Sequence, residues 1–262
     1  MFYRNGVIVN IMNDFHKIYG LVGKSLGHSF SKDYFTDFFF RNNLNCSYQN
    51  IEIEIIEDLI PFVKENKKLM GFNVTIPYKE SVISHLDDID DIAETVGAVN
   101  TVKVEKDGRL RGFNTDVIGF ERLLEDIEEQ WNNKYKEALV FGSGGASKAV
   151  RFVLNKLRVP YKIVTRNCKS RYDIGYSEIN DRGFYPYSLI INTTPVGMFP
   201  KVDECLELPY STIEQHNVFI DLIYNPSETL FLKKAKAFGA STYNGLKMLH
   251  EQAKASWEIW NK

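Results

Sequence analysis

Cysteine is scarce in this chain. The three present, Cys46, Cys168 and Cys205, lie far apart among 262 residues and form no CxxC or CxxH pair. That spacing offers no metal or dithiol motif, so no metal is expected and a reducing cytoplasm is the natural compartment. Long apolar runs are missing too, so no membrane span is expected. Nor does one sign of charge dominate. The formal net charge of -2 gives no electrostatic case for nucleic acid or an anionic membrane surface as partner. Met1 to Lys17 carries Arg4 and a short apolar patch from Val7 to Met12, but Asp14 follows and no small-residue cleavage site appears. It reads as an extra arm, not a signal peptide. There is no internal repeat and no low-complexity segment.

What is present suits a folded chain of two domains. The residues are 44% hydrophobic and 25% charged, the profile of a globular protein, and the length exceeds that of one ordinary core.

Patterning divides the chain. In the first half, Lys17 to Val22 reads as a strand that turns at Gly23. Ser29 to Asn42 reads as a helix with an aromatic inner face, and its Phe38-Phe39-Phe40 run is expected in the core. Ser47 to Ile55 alternates as a strand, Ile56 to Asn66 reads as a helix, and Met70 to Ile76 as a short apolar strand. Pro77 stands where a helix would open. Val96 to Glu105 and Arg109 to Phe113 flank Asp107-Gly108, a strong hairpin signal. An amphipathic helix starting near Thr115 then places Phe120, Leu123, Leu124, Ile127 and Trp131 on one face, and Asn132-Asn133-Lys134 breaks it.

The second half carries short apolar runs of the fully buried, parallel kind: Ala138 to Phe141, Tyr161 to Thr165, Leu189 to Asn192 and Val218 to Leu222. A helix from about Ala146 to Leu157 follows the first of them. Asn225-Pro226 is expected to cap and open another, with Gly239 at its C′ position. Tyr172 to Pro186 shows no convincing helix. Ala240 to Tyr243 suits a last strand, and Leu246 to Trp260 a last helix with Leu246, Leu249, Ala253, Trp257 and Trp260 on one stripe.

The glycine turn carries the first chemical signal. Gly142-Ser143-Gly144-Gly145-Ala146-Ser147 directly follows a strand and opens a helix. Glycines permit the tight turn and let backbone approach phosphates, while the N–H groups of the next helix face the anion. The third glycine of the usual pattern is replaced by Ser147. An ordinary βα turn is the plain alternative, but the complete strand, turn, helix and strand context favours a dinucleotide. An Asp or Glu at the end of the second strand would bind the ribose 2′-OH of NAD. Here stand Thr165-Arg166-Asn167, then Lys169 and Arg171. A guanidinium suits a 2′-phosphate, so NADP is expected over NAD; a solvated basic loop is the alternative.

Four polar clusters sit where strands end or turns begin. They are Gly27-His28-Ser29-Phe30-Ser31, Asn73 to Lys79, Gly97-Ala98-Val99-Asn100-Thr101 and Asn114-Thr115-Asp116. Strand ends are where ligands gather in α/β domains, and uncharged hydroxyls and amides suit a small polyhydroxylated ligand.

With those motifs in place, the chain resembles the shikimate dehydrogenases from Tyr19 to Trp260. The resemblance also takes in Ile191 to Met198 (Ile-Asn-Thr-Thr-Pro-x-Gly-Met), Asp221 to Pro226 (Asp-Leu-Ile-Tyr-x-Pro) and Asn244 to Gln252 (Asn-Gly-Leu-x-Met-Leu-x-x-Gln). It implies an α/β fold: an N-terminal α/β substrate domain with a mixed sheet, a Rossmann-like NADP-binding domain, and a cleft between them. The expected division is 1–115 plus 246–262 for substrate and 116–245 for cofactor. It implies NADPH-dependent reduction of 3-dehydroshikimate to shikimate by a monomer or homodimer. By the same resemblance Ser29, Ser31 and Tyr224 lie near the substrate carboxylate, and Thr75, Lys79, Asn100, Asp116 and Gln252 meet the ring hydroxyls. The glycine turn (Gly142, Ser143, Gly144, Gly145, Ala146), Thr165, Arg166, Thr193, Met198 and Gly245 surround NADP. Lys247 departs from the family, which has glycine there.

Among these residues Lys79 is the best proton donor or acceptor. A place in the first turn of a helix opened by Pro77 would disfavour its charge, and Asp116 would favour it and orient the ammonium. The expected role is general acid in reduction and base in the reverse direction; a surface ion pair is the plain alternative. Ser29 and Ser31 also suit helix capping, Asp221 reads as structural, and His28 has no evident proton-transfer task. The rival functions are a quinate/shikimate dehydrogenase that prefers NAD, a methylene-tetrahydrofolate dehydrogenase, which lacks the Ser29/Ser31 pair, and a non-catalytic NADP-binding sensor.

Overall fold

In a computed structural model, the described residues are 16–27, 29–131 and 137–262, with the side chains of 129–131 set aside. Residues 1–15 of the expected N-terminal arm, His28, the side chain of Trp131 and the break at Asn132-Asn133-Lys134 therefore lie outside them. In chain order the elements are β1 (Lys17–Gly23), α1 (Phe30–Arg41), β2 (Cys46–Glu52), α2 (Leu59–Glu65), β3 (Leu69–Val74), β4 (Asp88–Ile89), α3 (Asp91–Val96), β5 (Thr101–Val104), β6 (Leu110–Phe113) and α4 (Thr115–Trp131). Then follow β7 (Ala138–Phe141), α5 (Gly145–Lys156), β8 (Tyr161–Val164), β9 (Asp173–Ile174), α6 (Tyr176–Arg182), β10 (Leu189–Asn192), β11 (Val218–Asp221), α7 (Leu230–Ala237), β12 (Ser241–Asn244) and α8 (Leu246–Asn261).

Packing separates the chain into two units. One extends to Ile89 and includes Val99–Gly112; the other is Asp90–Ala98 with Phe113–Lys262. The first unit is built on a mixed six-stranded sheet ordered β2-β1-β3-β5-β6-β4. In it β1 is parallel to β2 and β3, and β5 runs antiparallel to β3. The second unit holds a six-stranded sheet ordered β12-β11-β10-β7-β8-β9, parallel at every pairing. Its central strands β7, β10 and β11 are buried at every residue, as expected for a parallel sheet covered on both faces. One covering layer joins Phe120, Leu124 and Ile127 of α4 to Val150 and Val153 of α5. The other centres on Phe141, Phe219 and Phe231. By packing, α8 lies on α4 in this second unit.

Several expectations give way to tertiary structure. Pro77 opens no α-helix. Thr75 O accepts from Tyr78 N at 2.9 Å, and the buried Tyr78 hydroxyl reaches the carbonyls of Ile53 and Glu54, each at 2.8 Å. These bonds hold residues 75–80 as turns, and only a 3-10 segment, Ser81–His85, follows. Lys79 thus sits in a turn, and the helix-end argument for its charge falls away. Asn225-Pro226 does not begin a helix either; Thr229 caps α7, its hydroxyl accepting from Leu232 N at 3.4 Å.

The expected strand start at Val96 is instead the end of α3. Asp90 caps that helix through Ala93 N at 2.8 Å, and Gly97 ends it with φ +67°. Both caps were present in the sequence. The short helix α6 falls in a stretch read as helix-free; its inward residue is Ile179. Ile56 to Asn66 divides into a 3-10 turn, Ile56–Asp58, and α2. On α1, Phe35 and Phe39 are buried but Phe40 is 82% exposed, so the aromatic run is only partly core. The inward stripe of α8 is Met248, Gln252, Ala253, Ala255, Ser256 and Trp260, and Leu246 faces out.

Candidate active site

The first unit gathers its polar residues through a neutral hydrogen-bonded chain. Ser29 caps α1, its Oγ accepting from Lys32 N at 3.4 Å. Ser31, one turn further in, is buried and hydrogen-bonded to the Tyr48 hydroxyl. Tyr48 donates to Asn73 Oδ1 at 2.8 Å. Asn73 Nδ2 donates to Thr101 Oγ1 at 3.0 Å and to Asn100 O at 3.2 Å, and Thr101 Oγ1 donates to Asn100 Oδ1 at 3.2 Å. Ser31 and Asn100, expected from the sequence, are thereby joined through Tyr48, Asn73 and Thr101, whose supporting role that reading missed. The available signal was polar residues inside otherwise apolar strands, where burial demands partners. Burial pushes the Tyr48 phenol above its ordinary value, with the Ser31 bond opposing.

Thr75 and Lys79 follow β3 directly. Thr75 N donates to Val22 O at 2.9 Å, and Lys79 O accepts from Val99 N at 2.7 Å, one residue before Asn100. The turn that carries Lys79 is therefore fixed at both ends and in its middle by Tyr78.

In the second unit, Asp116 stands in the first turn of α4 and is buried. Asn114 caps that helix, its Oδ1 accepting from Val117 N at 3.3 Å while its Nδ2 donates to Ala98 O at 2.8 Å. Thr115 meets α8: its hydroxyl donates to Gln252 Oε1 at 3.4 Å and lies 3.2 Å from Ser256 Oγ. Gln252 Nε2 donates to Leu249 O at 3.1 Å. The close crossing depends on Gly119, where a Cβ would stand 2.5 Å from Met248 O. Lys247, the family departure, is bound to Asp126 of α4 at 2.9 Å, which holds its pKa up.

The glycine turn fits the pyrophosphate of a dinucleotide on three counts. Gly142 has φ +104°, and a Cβ there would lie 2.8 Å from Thr193 Oγ1. At Gly144 a Cβ would meet nothing within 4 Å, so the turn is open on that side. The start of α5 has no side-chain cap, which leaves its first N–H groups for an anion. Ser147, which stands where the third glycine would be, is buried, and its Oγ has no hydrogen-bond partner.

Beyond β8, Thr165 is partly buried and Arg166 is exposed. The next acid along, Asp173, is turned into its own loop. It accepts from Lys169 N, Ser170 N and Ser170 Oγ, and the Lys169 bond leads in holding its carboxyl below the usual range. Nothing in that loop therefore offers a carboxylate in place of Arg166. Thr193 Oγ1 donates to Phe141 O at 2.6 Å beside the glycine turn, and Met198 is 42% exposed on the loop after β10. Tyr224 is partly buried after β11. At Gly245, which precedes α8, a Cβ would lie 2.0 Å from Leu222 O, so glycine alone fits.

The family model of the shikimate dehydrogenase substrate binding domain matches residues 21–102. A curated NADP(+) shikimate dehydrogenase from Methanococcus maripaludis is 38% identical over 266 residues, 95% of this chain and 94% of that protein. The chain belongs to the shikimate dehydrogenase family. Solved structures share its two-domain α/β fold. The family's enzyme from Thermus thermophilus, in complex with NADP(H) and shikimate, aligns with a TM-score of 0.78 at 29% identity and covers 93% of each chain. A quinate dehydrogenase from Corynebacterium glutamicum, in complex with NAD, aligns with a TM-score of 0.80 at 26% identity, again over 93% of each chain. Among the described residues no helix is long and apolar enough to cross a membrane, and no cluster of His, Cys, Asp and Glu suits a metal ion.

Proposed function

We propose that this protein catalyses the reversible, NADPH-dependent reduction of 3-dehydroshikimate to shikimate in the cytoplasm, on the route to chorismate and the aromatic amino acids. The observation that carries the reading is the neutral chain from Ser31 to Asn100, which lies within the region matched by the substrate-binding family model. Neutral hydroxyls and amides suit a ligand that presents several hydroxyls, because each can donate or accept without a change of charge.

In this reading Ser29, Ser31 and Tyr224 receive the substrate carboxylate, and Thr75, Asn100 and Gln252 receive its hydroxyls. Residues 1–115 and 246–262 serve the substrate and 116–245 the cofactor, a division by ligand that cuts across the division by packing. Lys79 gives a proton to the ketone oxygen in reduction and takes it back in oxidation. Asp116 orients the Lys79 side chain. The turn from Gly142 to Ala146 holds the pyrophosphate, Thr165 and Arg166 the 2′-phosphate, and Thr193, Met198 and Gly245 the nicotinamide end. Hydride transfer is the chemistry that NADPH supplies when bound.

A second reading, quinate oxidation with NAD, draws on the likeness to the quinate dehydrogenase. Arg166 in place of an acid argues against it. Initial rates with shikimate and quinate, each with NADP and NAD, decide between them. Shikimate with NADP is expected to be the best pair. Faster turnover of quinate with NAD would replace the proposal, and binding of NADP without turnover of either substrate would make the chain a sensor.

A further inference from the structure

Two aspartates are buried among the described residues, Asp116 and Asp221, and only the first has a part in the chemistry above. Asp221 ends β11 with no solvent exposure. Burying a carboxylate is unfavourable unless its oxygens are matched by donors, and here three donors converge. Thr229 Oγ1 donates at 2.6 Å, Asn192 Nδ2 at 3.1 Å and Ile223 N at 3.1 Å.

Each bond continues into a ligand-bearing loop. Asn192 Oδ1 accepts from Thr194 N at 3.0 Å and from Thr194 Oγ1 at 2.7 Å, which shapes the exit from β10 where Thr193 and Met198 lie. Ile223 and Thr229 bracket the turn that contains Tyr224. Within it, Asn225 O accepts from Phe199 N at 3.1 Å and ties the two loops together. Ile223 O accepts from Gly245 N at 3.1 Å. Four residues assigned to ligands thus hang from one side chain through short hydrogen-bonded paths.

We propose that Asp221 is a positioning residue: its carboxylate holds the loops after β10 and β11 so that Thr193, Met198, Tyr224 and Gly245 face the cofactor and substrate. This rests on the ligand assignment of those four residues. Burial raises the Asp221 pKa to about 6, and the Thr229, Ile223 and Asn192 bonds oppose that rise. The groups packed around it are mostly neutral. The flanking strands pair it with Asn192 and Asn244, and Thr229 faces it from the start of α7. Tyr210 is the titratable neighbour that feels its charge; burial first, then Cys205, pushes that phenol up. Lys234 lies over the Tyr210 ring at 5.3 Å.

The test compares Asp221→Asn, Thr229→Val and Thr229→Ser with the wild type. It measures NADP and shikimate kinetics and NADPH binding by fluorescence titration from about pH 5 to about pH 9. At about pH 8, Asp221→Asn is expected to raise the KM for NADP and the Kd for NADPH about tenfold, the size of one lost hydrogen bond to a charged group, with kcat within about threefold. Wild-type affinity falls below about pH 6 more steeply than that of the Asn variant, which keeps only the part due to the cofactor's own 2′-phosphate. Thr229→Val follows Asp221→Asn and Thr229→Ser follows the wild type, which decides the matter if Asp221→Asn does not fold. Folded Asp221→Asn and Thr229→Val variants with wild-type KM, Kd and pH profile would overturn the proposal. If the wild type turns over no shikimate, the functional reading fails, while the NADPH titration still tests the positioning role.

Discussion

Across α1, β2, β3 and β5 of the first unit, five uncharged side chains share the polar work, running from Ser31 through Tyr48, Asn73 and Thr101 to Asn100. At the end of β11 in the second, a single carboxylate gathers three donors. Both arrangements satisfy buried polar groups at the ends of apolar strands, where an unpaired group is unfavourable by about 1–3 kcal/mol. They differ in what they answer to. The neutral chain holds its protonation across the physiological range, because burial moves the Tyr48 phenol further from it. The carboxylate is drawn toward that range, to about 6. A network of several weak nodes is indifferent to pH, and a network with one strong node is not.

The hardest way to break the contrast is to remove the charged group placed at the edge of the neutral side. Lys79→Ala is expected to lower kcat by roughly 10²–10⁴ with NADPH affinity retained. Steady-state rates and a binding titration check this, and near-normal turnover would end the acid–base assignment.

Next in size is the pH dependence of stability from Asp221. Its folded-state pKa of about 6 lies above the 3.8 of an ordinary Asp, so the native state binds the proton more tightly than the unfolded state. Stability contributed at this site is full below about pH 4, is lost as pH rises toward about 6, and changes little beyond. The loss is on the order of 3 kcal/mol for two pKa units. Denaturant unfolding of the wild type against Asp221→Asn, at about pH 4 and about pH 7, reads the difference; a constant gap between the two curves would refute it.

The smallest effect falls on the neutral side. Tyr48→Phe leaves Asn73 Oδ1 without its donor and is expected to destabilise the protein by about 1–3 kcal/mol, by the same amount at both pH values. A loss that varied with pH would mean that this network is not neutral.

The sequence alone made β7, β8, β10 and β11 of the second sheet legible, because buried parallel strands leave apolar runs bounded by polar ends; the two-residue edge strand β9 leaves no such run. The glycine turn was equally plain, since Gly142, with φ +104°, stands where the backbone needs a glycine. Two of the misreadings concern prolines. Pro77 and Pro226 both looked like helix openers by local preference. After Pro77 the turn is held by the Tyr78 hydroxyl on Ile53 and Glu54, and after Pro226 the helix waits for the cap at Thr229, whose hydroxyl also bonds Asp221. Local propensity is worth tenths of a kcal/mol to about one for most residues, less than such buried bonds. The motif positions of Ser31, Asn100 and Gln252 could be picked out, but their supports could not. The pairing of Thr115 with Gln252 and Ser256 becomes visible only when elements far apart in sequence meet.

The crossing of α4 and α8 shows what such a meeting means in time. Thr115 and Gln252 are 137 positions apart in sequence, yet one hydroxyl joins them, and Gly119 leaves just enough room for the later helix. While the chain is being made, the first turn of α4, with Asp116 in it, emerges long before the helix that covers it. Contacts of such long separation form late and slow folding. Until α8 arrives, the chain already carries its glycine turn and its proposed proton donor, but it has no Gln252 and no cover for that face of α4. The order of synthesis therefore places the glycine turn ahead of the completed α4–α8 crossing.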